Sequence, residues 1–143
     1  MFLGEYAHNL DEKGRLAIPA RFRAEFAAGL FLTRGLDRCL VIWPPPTWRA
    51  MAERLTSLSP WRADARRLQR LFFSGAVEAS PDKLGRILIP QYLREYAELD
   101  GEAMVVGVHD RVEVWSVGRW QAERGDAESN GAELAEHLAG LEL

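Results

Sequence analysis

The segment Asp11-Glu12-Lys13-Gly14-Arg15-Leu16-Ala17-Ile18-Pro19 returns 71 residues later as Asp82-Lys83-Leu84-Gly85-Arg86-Ile87-Leu88-Ile89-Pro90. Arg23 and Arg94 share that offset. Gly35 and Gly107, Trp43 and Trp115, and Trp48 and Trp120 match at an offset of 72, so one inserted residue separates the two registers. An internal repeat outranks every other clue to a fold. Here it says that two halves of about fifty residues follow one plan. Units so small bury too little surface to be stable alone. The halves must therefore pack into one pseudo-symmetric body.

Each half reads alike. A strand enters a turn at Asp-x-x-Gly, where the Asp side chain can cap and the Gly tolerates positive φ. A short strand follows, Arg15 to Ile18 and Arg86 to Ile89. Pro19 and Pro90 suit the first turn of a helix. Phe22 and Phe26 form the apolar stripe of the first helix and Gly29 ends it. Leu93 and Ala97 form the second stripe, with Gly101 beyond. A β-hairpin comes next: Leu30–Thr33 with Cys39–Trp43, and Ala103–Val108 with Val112–Val117. Around Val112-Glu113-Val114-Trp115 the alternation is loose, so part of that strand is expected to be buried on both faces.

The connector between the halves, 51–73, reads as helical. Thr47 and Ser59 are suitable N-caps, with Pro60 at the first helical position. Met51, Leu55 and Leu58 make one apolar stripe; Trp61, Ala65, Leu68 and Phe72 make another. Opposite them lie Arg62, Arg66 and Arg70, with Arg67 nearby. That stripe reads as a solvated helix face, with a ligand surface as the alternative. Residues 124–131 are rich in Gly, Asp, Ser and Asn and read as a flexible link. Residues 132–143 follow as a weak helix with Leu134, Leu138 and Leu141 on one side. The stretch 121–143 is thus expected to be an acidic, flexible tail.

Charge is unevenly spread. The chain has net charge −3. Residues 121–143 hold six acids against one arginine, which leaves the remainder at +2. The basic residues are 16 Arg and 2 Lys. Arginine's planar fork suits phosphate and guanine edges, although a GC-rich genome gives the same bias. Charge therefore permits nucleic acid without pointing to it. The start of the chain has no basic, apolar leader, no run approaches a membrane span, and the lone Cys39 makes no internal disulfide; a cytoplasmic setting is expected.

Little suggests catalysis or a cofactor. His8, His109, His137 and Cys39 are scattered, without metal-ligand spacing. No nucleophile elbow, dinucleotide fingerprint or phosphate-binding loop is present. No cofactor, small-molecule substrate or membrane partner is expected. One enzymatic option is that Asp11 and Asp82 meet across the pseudo-symmetry axis as a carboxyl dyad. The plainer reading is that each Asp caps its own turn or pairs with its own Arg.

The repeated turn can do more than turn. Arg15 and Arg86 each follow a glycine and carry a permanent charge. With Lys13 and Lys83 they put four cations on two related loops. Two such loops on one surface would straddle a DNA groove, lysine on phosphate and arginine on phosphate or base edges. Asp11, Gly14, Asp82 and Gly85 would shape and orient those loops.

These residues carry a resemblance. The opening Phe2-x-Gly4-x-Tyr6, the two Asp-x-x-Gly-Arg segments with their Ile-Pro endings, and the closing Trp115-x-x-x-x-Trp120 together resemble the MraZ family. Leu84 departs from it, standing where the family usually has Gln. The resemblance covers most of residues 1–120. It implies an α+β fold: a pseudo-symmetric β-barrel of two AbrB/SpoVT-like swapped-hairpin repeats, 1–50 and 74–120, with short helices after each. It further implies a cytoplasmic, nucleoid-associated transcriptional regulator, usually a repressor. Such proteins bind short repeated G-rich boxes in double-stranded DNA upstream of the division and cell-wall gene cluster. A homo-oligomeric ring, an octamer or larger, is implied as well, with Arg15 and Arg86 as the DNA contacts. The alternative is an antitoxin-like protein-interaction module, suggested by the acidic tail and its leucines.

Overall fold

All four side chains of Leu40–Trp43 are buried, so the sheet that holds this strand must be covered on both faces. The computed structural model describes residues 1–141; Glu142 and Leu143, the end of the expected tail, lie outside them. In chain order the elements are β1 (Glu5–Asn9), β2 (Arg15–Ala17), a 3-10 helix (Ala20–Phe26), β3 (Leu30–Arg34), β4 (Leu40–Trp43), α1 (Pro45–Thr56) and α2 (Ala63–Gly75). Then follow β5 (Val77–Ala79), β6 (Arg86–Leu88), α3 (Gln91–Tyr96), β7 (Glu102–Gly107), β8 (Val112–Ser116) and α4 (Val117–Ala139).

The strands form a six-stranded antiparallel sheet in the order β1-β7-β8-β4-β3-β5 and a separate ribbon of β2 with β6. The repeat offset turns the six-strand order into its own reverse, so a pseudo-two-fold axis passes between β8 and β4. On that axis Val41 faces Glu113. In the ribbon Leu16 faces Ile87, flanked by Arg15 opposite Leu88 and Ala17 opposite Arg86. The halves exchange strands: β1 pairs with β7 of the second half, and β5 with β3 of the first. The fold is thus α+β, but the sheet does not close into the expected barrel. Its edges are β1 and β5, because β2 and β6 spend their hydrogen bonds on each other. An isolated bridge, Leu10 to Leu16, links the chain just after β1 to the ribbon.

Two cores cover the two faces. On one side Leu40, Ile42, Val112 and Val114 pack against Leu16, Ile18, Ile87 and Ile89 of the ribbon and against the short helices. Phe2 is locked there, stacked on Phe26 at 5.0 Å and edge-on to Phe22 at 5.2 Å. Burial of each such ring contributes about 1.5–3 kcal/mol. On the other side Val41, Trp43, Val106 and Trp115 pack against Trp48, Met51 and Trp120. β8 is thus buried on both faces where its alternation is loose. The ribbon and the connector helices lie on opposite faces of the sheet.

Several local expectations are corrected. The helix after Pro19 is a 3-10 helix. Thr47 does not cap the connector, because α1 starts two residues earlier, inside the proline run, with Pro44 at the cap position and Pro45 and Pro46 in the first turn. Ser59 accepts from Trp61 N in a separate turn, and α2 begins only after Arg62. That turn throws Trp61 outward to 90% exposure, so it leaves the apolar stripe. The expected flexible link at 124–131 is helical, inside a continuous 23-residue α4. Ser116 caps it by accepting from Arg119 N. The bond from Asn130 Nδ2 to the Asp126 carbonyl and the Arg124–Glu128 pair at 3.6 Å support its middle. These local bonds offset part of the weak helix propensity of Gly and Asn.

Candidate nucleic-acid interface

The two Asp-x-x-Gly-Arg turns are built alike, bond for bond. Asp11 Oδ1 accepts from the backbone N–H of Lys13 and of Arg15, both at 2.9 Å. Asp82 Oδ1 accepts from Leu84 and Arg86, also at 2.9 Å. The backbone closes each turn: Gly14 N donates to Asp11 O at 3.0 Å, Gly85 N to Asp82 O at 2.8 Å. The second carboxylate oxygen takes the guanidinium Nε, Arg15 at 2.6 Å and Arg86 at 2.9 Å. Each aspartate thus fixes its turn and aims its arginine. Among the described residues only Nε makes a hydrogen bond, and a guanidinium has five donors, so both half-exposed forks keep Nη donors for a ligand.

The ribbon brings the two turns together. β-strand alternation sends Leu16 and Ile87 into the core and Arg15, Ala17, Arg86 and Leu88 to the outer face. Arg15 and Arg86 are diagonal neighbours there, which corresponds to about 7–8 Å between the two residues and somewhat less between their Cβ atoms. Cross-bonds lock the register: Ile18 N donates to Gly85 O at 2.8 Å and Ile89 N to Gly14 O at 2.9 Å. Lys13 and Lys83 are exposed at the turn tips.

Asp11 and Asp82 do not make a carboxyl dyad. Arg86 binds Asp82 at 2.9 Å and brings Nη1 to 3.8 Å from Asp11 Oδ2. Backbone N–H bonds, from Arg15 to Asp11 and from Arg86 to Asp82, hold both carboxyls below the ordinary aspartate value. A proton-sharing pair would instead raise one of them.

Two further arginines belong to this surface. Arg23 Nε donates to Ile18 O at 3.0 Å, and Arg94 Nε to Ile89 O at 2.9 Å. From there each guanidinium crosses to the other half. A Cβ on Gly85 would stand 2.5 Å from Arg23 Cζ, and one on Gly14 would stand 2.7 Å from Arg94 Cζ. The turn glycines, at φ +77° and +82°, therefore serve both backbone conformation and close approach. Among the described residues neither Arg23 nor Arg94 is held in an ion pair. The sequence matched these two positions but gave them no role. Their signal was arginine kept at the repeat offset while the neighbours changed.

The family model described as “MraZ protein, putative antitoxin-like” matches twice, over residues 1–71 and 72–139. The chain belongs to the MraZ family. It is 51% identical to the transcriptional regulator MraZ of Pelotomaculum thermopropionicum over 143 residues, all of this chain and 99% of that relative. It is 50% identical to the one from Desulforamulus reducens over 141 residues, 99% of both chains. With that of Moorella thermoacetica it shares 49% over the full length of both. These MraZ relatives are named as regulators of transcription, not as enzymes. Among the described residues no helix is long and apolar enough to cross a membrane.

Proposed function

We propose that this protein is a sequence-specific, DNA-binding transcriptional regulator that represses a division and cell-wall gene cluster from short repeated G-rich boxes. The observation that carries the reading is the two-fold pair of aspartate-oriented arginines, Arg15 and Arg86, on the outer face of a two-stranded ribbon. A major groove admits such a ribbon, and arginine forks match guanine O6 and N7. Their separation spans about two base-pair steps of about 3.4 Å. Lys13 and Lys83 hold the flanking phosphates, joined by Arg23 and Arg94. The glycines and aspartates shape the turns and contact no base. Each repeat, 1–50 and 74–120, belongs on this reading to the AbrB/SpoVT-like swapped-hairpin class.

A chain of net charge −3 binds DNA by aiming its cations at one face and repeating that face. The protein therefore works as a homo-oligomeric ring, an octamer or larger, in the cytoplasm at the nucleoid. Each subunit's weak contact is multiplied by high effective concentration along repeated boxes. The test is Arg15→Ala with Arg86→Ala, measured by fluorescence anisotropy on a duplex of repeated G-rich boxes. Each lost bidentate contact weakens binding about 5- to 150-fold, from about 1–3 kcal/mol. Unchanged binding with unchanged oligomeric state overturns the reading. An antitoxin-like interaction role is the second reading, favoured by the exposed leucines of α4. A stoichiometric foreign protein captured after nuclease treatment, with no DNA binding, would establish it instead.

A further inference from the structure

We infer that α4 of one copy docks, leucine stripe inward, into the arginine-rimmed hollow beside α2 of a second copy. α4 leaves the body soon after its start. Trp120 packs near Trp115, and Arg119 and Arg124 pair with Glu98 and Glu5. From Asp126 to Leu141 every residue is exposed. A free helix of about 15 residues is marginal in water. Gly125 and Gly131 lower its stability by about 1 kcal/mol each relative to Ala. The helix calls for a packing partner that its own chain does not give it.

The sequence of α4 describes that partner. Ala127, Gly131, Leu134, Leu138 and Leu141 recur at alternating four- and three-residue spacing, the pattern of a helix–helix seam. Leu134 and Leu138 are 48% and 40% exposed. Gly131 on the seam permits close approach. Within α4 the charges beyond Arg124 are Asp126, Glu128, Glu133 and Glu136, with no Lys or Arg. The partner must offer an apolar groove with a basic rim.

α2 offers that groove. Two adjoining hollows of about 750 and 330 Å³ run along it, with Leu58, Leu68 and Leu71 in the lining; Arg62, paired with Asp64, and the unpaired Arg67 stand at the rim, a basic excess among the described residues. Trp61, 90% exposed, stands in the turn that leads into them; Trp is among the residue types enriched at binding hot spots. The segment from Trp61 to Leu71 carries four arginines against one aspartate. A third hollow, of about 590 Å³ below α1, sets Asp37, Asp110 and Glu113 against Arg54 and Arg111 in its lining, an acidic excess that disfavours an acidic helix. Charge therefore selects α2.

Pseudo-symmetry points to the same contact. α1 starts at Pro45 and α4 at Val117, equivalent positions of the repeat. α1 packs against α2. Among the described residues no helix packs on the outer half of α4 in the same way, and an α2 from another copy would fill that part. Both surfaces are open within one chain, so they meet between chains. Each copy gives one α4 and receives one, a head-to-tail contact that closes into a ring when the rotation allows. The inference rests on the proposed self-association and names its two faces.

Subunit mixing tests it. One variant carries Leu134→Asp and Leu138→Asp; the other carries Trp61→Ala and Arg67→Glu. All four positions are exposed, so the body should keep its fold; circular dichroism should lose at most the signal of the outer half of α4, which has no partner in a single subunit. Sedimentation velocity should show the parent as a multimer and each variant as a single subunit. An equimolar mixture should give a two-subunit complex, because each variant supplies the face that the other lacks. Raising salt from about 0.05 to 0.5 M should weaken that complex by about tenfold or more. A monomeric parent overturns the inference together with the proposed ring. A variant that remains multimeric overturns the inference alone and leaves a ring built on other faces. Two monomeric variants that do not combine overturn it too, since a head-to-tail contact requires them to pair.

Discussion

Alanine at Gly85 separates two costs that the structure places at one atom. The backbone there has φ +77°, where an L side chain costs about 1–2 kcal/mol. The new Cβ would also lie 2.5 Å from Arg23 Cζ. To clear it, Arg23 must swing away and give up its 3.0 Å bond to Ile18 O. Arg23 is largely exposed, so water recovers part of that bond and its loss costs about 1 kcal/mol. Gly85→Ala should therefore destabilise the fold by about 2–3 kcal/mol. In an Arg23→Ala background only the backbone term of about 1–2 kcal/mol remains. Gly101 supplies a control: its φ is +74°, and nothing lies within 4 Å of a Cβ built on it. Gly101→Ala should match the backbone term in either background. Urea denaturation at one fixed protein concentration reads all the variants, because assembly makes midpoints depend on concentration. If Gly85→Ala costs no more than Gly101→Ala, or costs the same without Arg23, the crossing arginine does not pack on the turn as described.

Three shorter expectations follow from the same geometry. Asp11 and Asp82 are held below the ordinary carboxyl value by N–H bonds made only in the fold. Their stabilisation is complete above about pH 4, the unfolded value, and disappears as pH falls through their lowered folded values. Asp11→Asn with Asp82→Asn should flatten the acid side of a stability–pH curve. Asp64 and Glu98, also lowered, leave a residual slope; an unchanged slope contradicts the turn bonding. Cys39 is 1% exposed, and burial pushes its thiol up to about 12. Ellman's reagent at pH 8 should label it only in urea; prompt native labelling contradicts its burial. Gly14→Ala, which meets Arg94 as Gly85→Ala meets Arg23, should lower DNA affinity along with stability; unchanged affinity removes Arg94 from the contact surface.

Much of this was legible in the residues. The duplicated Asp-x-x-Gly-Arg turn has local causes, a capping carboxylate and a positive-φ glycine, and both copies form it. The paired tryptophans at offset 72 reappear as equivalent buried or half-buried side chains on one face of the sheet. What escaped was set by long-range pairing. Repetition says that the halves meet, but not that β2 pairs with β6 while β1 and β5 stay as edges. Only that register carries Arg23 over Gly85 and Arg94 over Gly14. Trp61 looked like core because its spacing to Ala65 and Leu68 is helical; a turn ending at Arg62 breaks the phase. Residues 124–131 looked like a linker because Gly, Ser and Asn favour turns. Those preferences are worth about 1 kcal/mol or less per residue, and α4 runs through them.

The central claim is a division of labour: Arg15 and Arg86 read bases, while Lys13 and Lys83 hold phosphates. It is tested most directly by binding isotherms on the DNA upstream of this protein's own gene and on a scrambled duplex, each at several salt concentrations. The parent should prefer the upstream DNA by about 10³-fold or more. Lys13→Ala with Lys83→Ala should weaken both DNAs alike and shallow the salt dependence by about one ion per lost contact. Arg15→Ala with Arg86→Ala should erase the preference itself. A parent that binds both duplexes equally, or an arginine variant that keeps the full preference, would contradict the account.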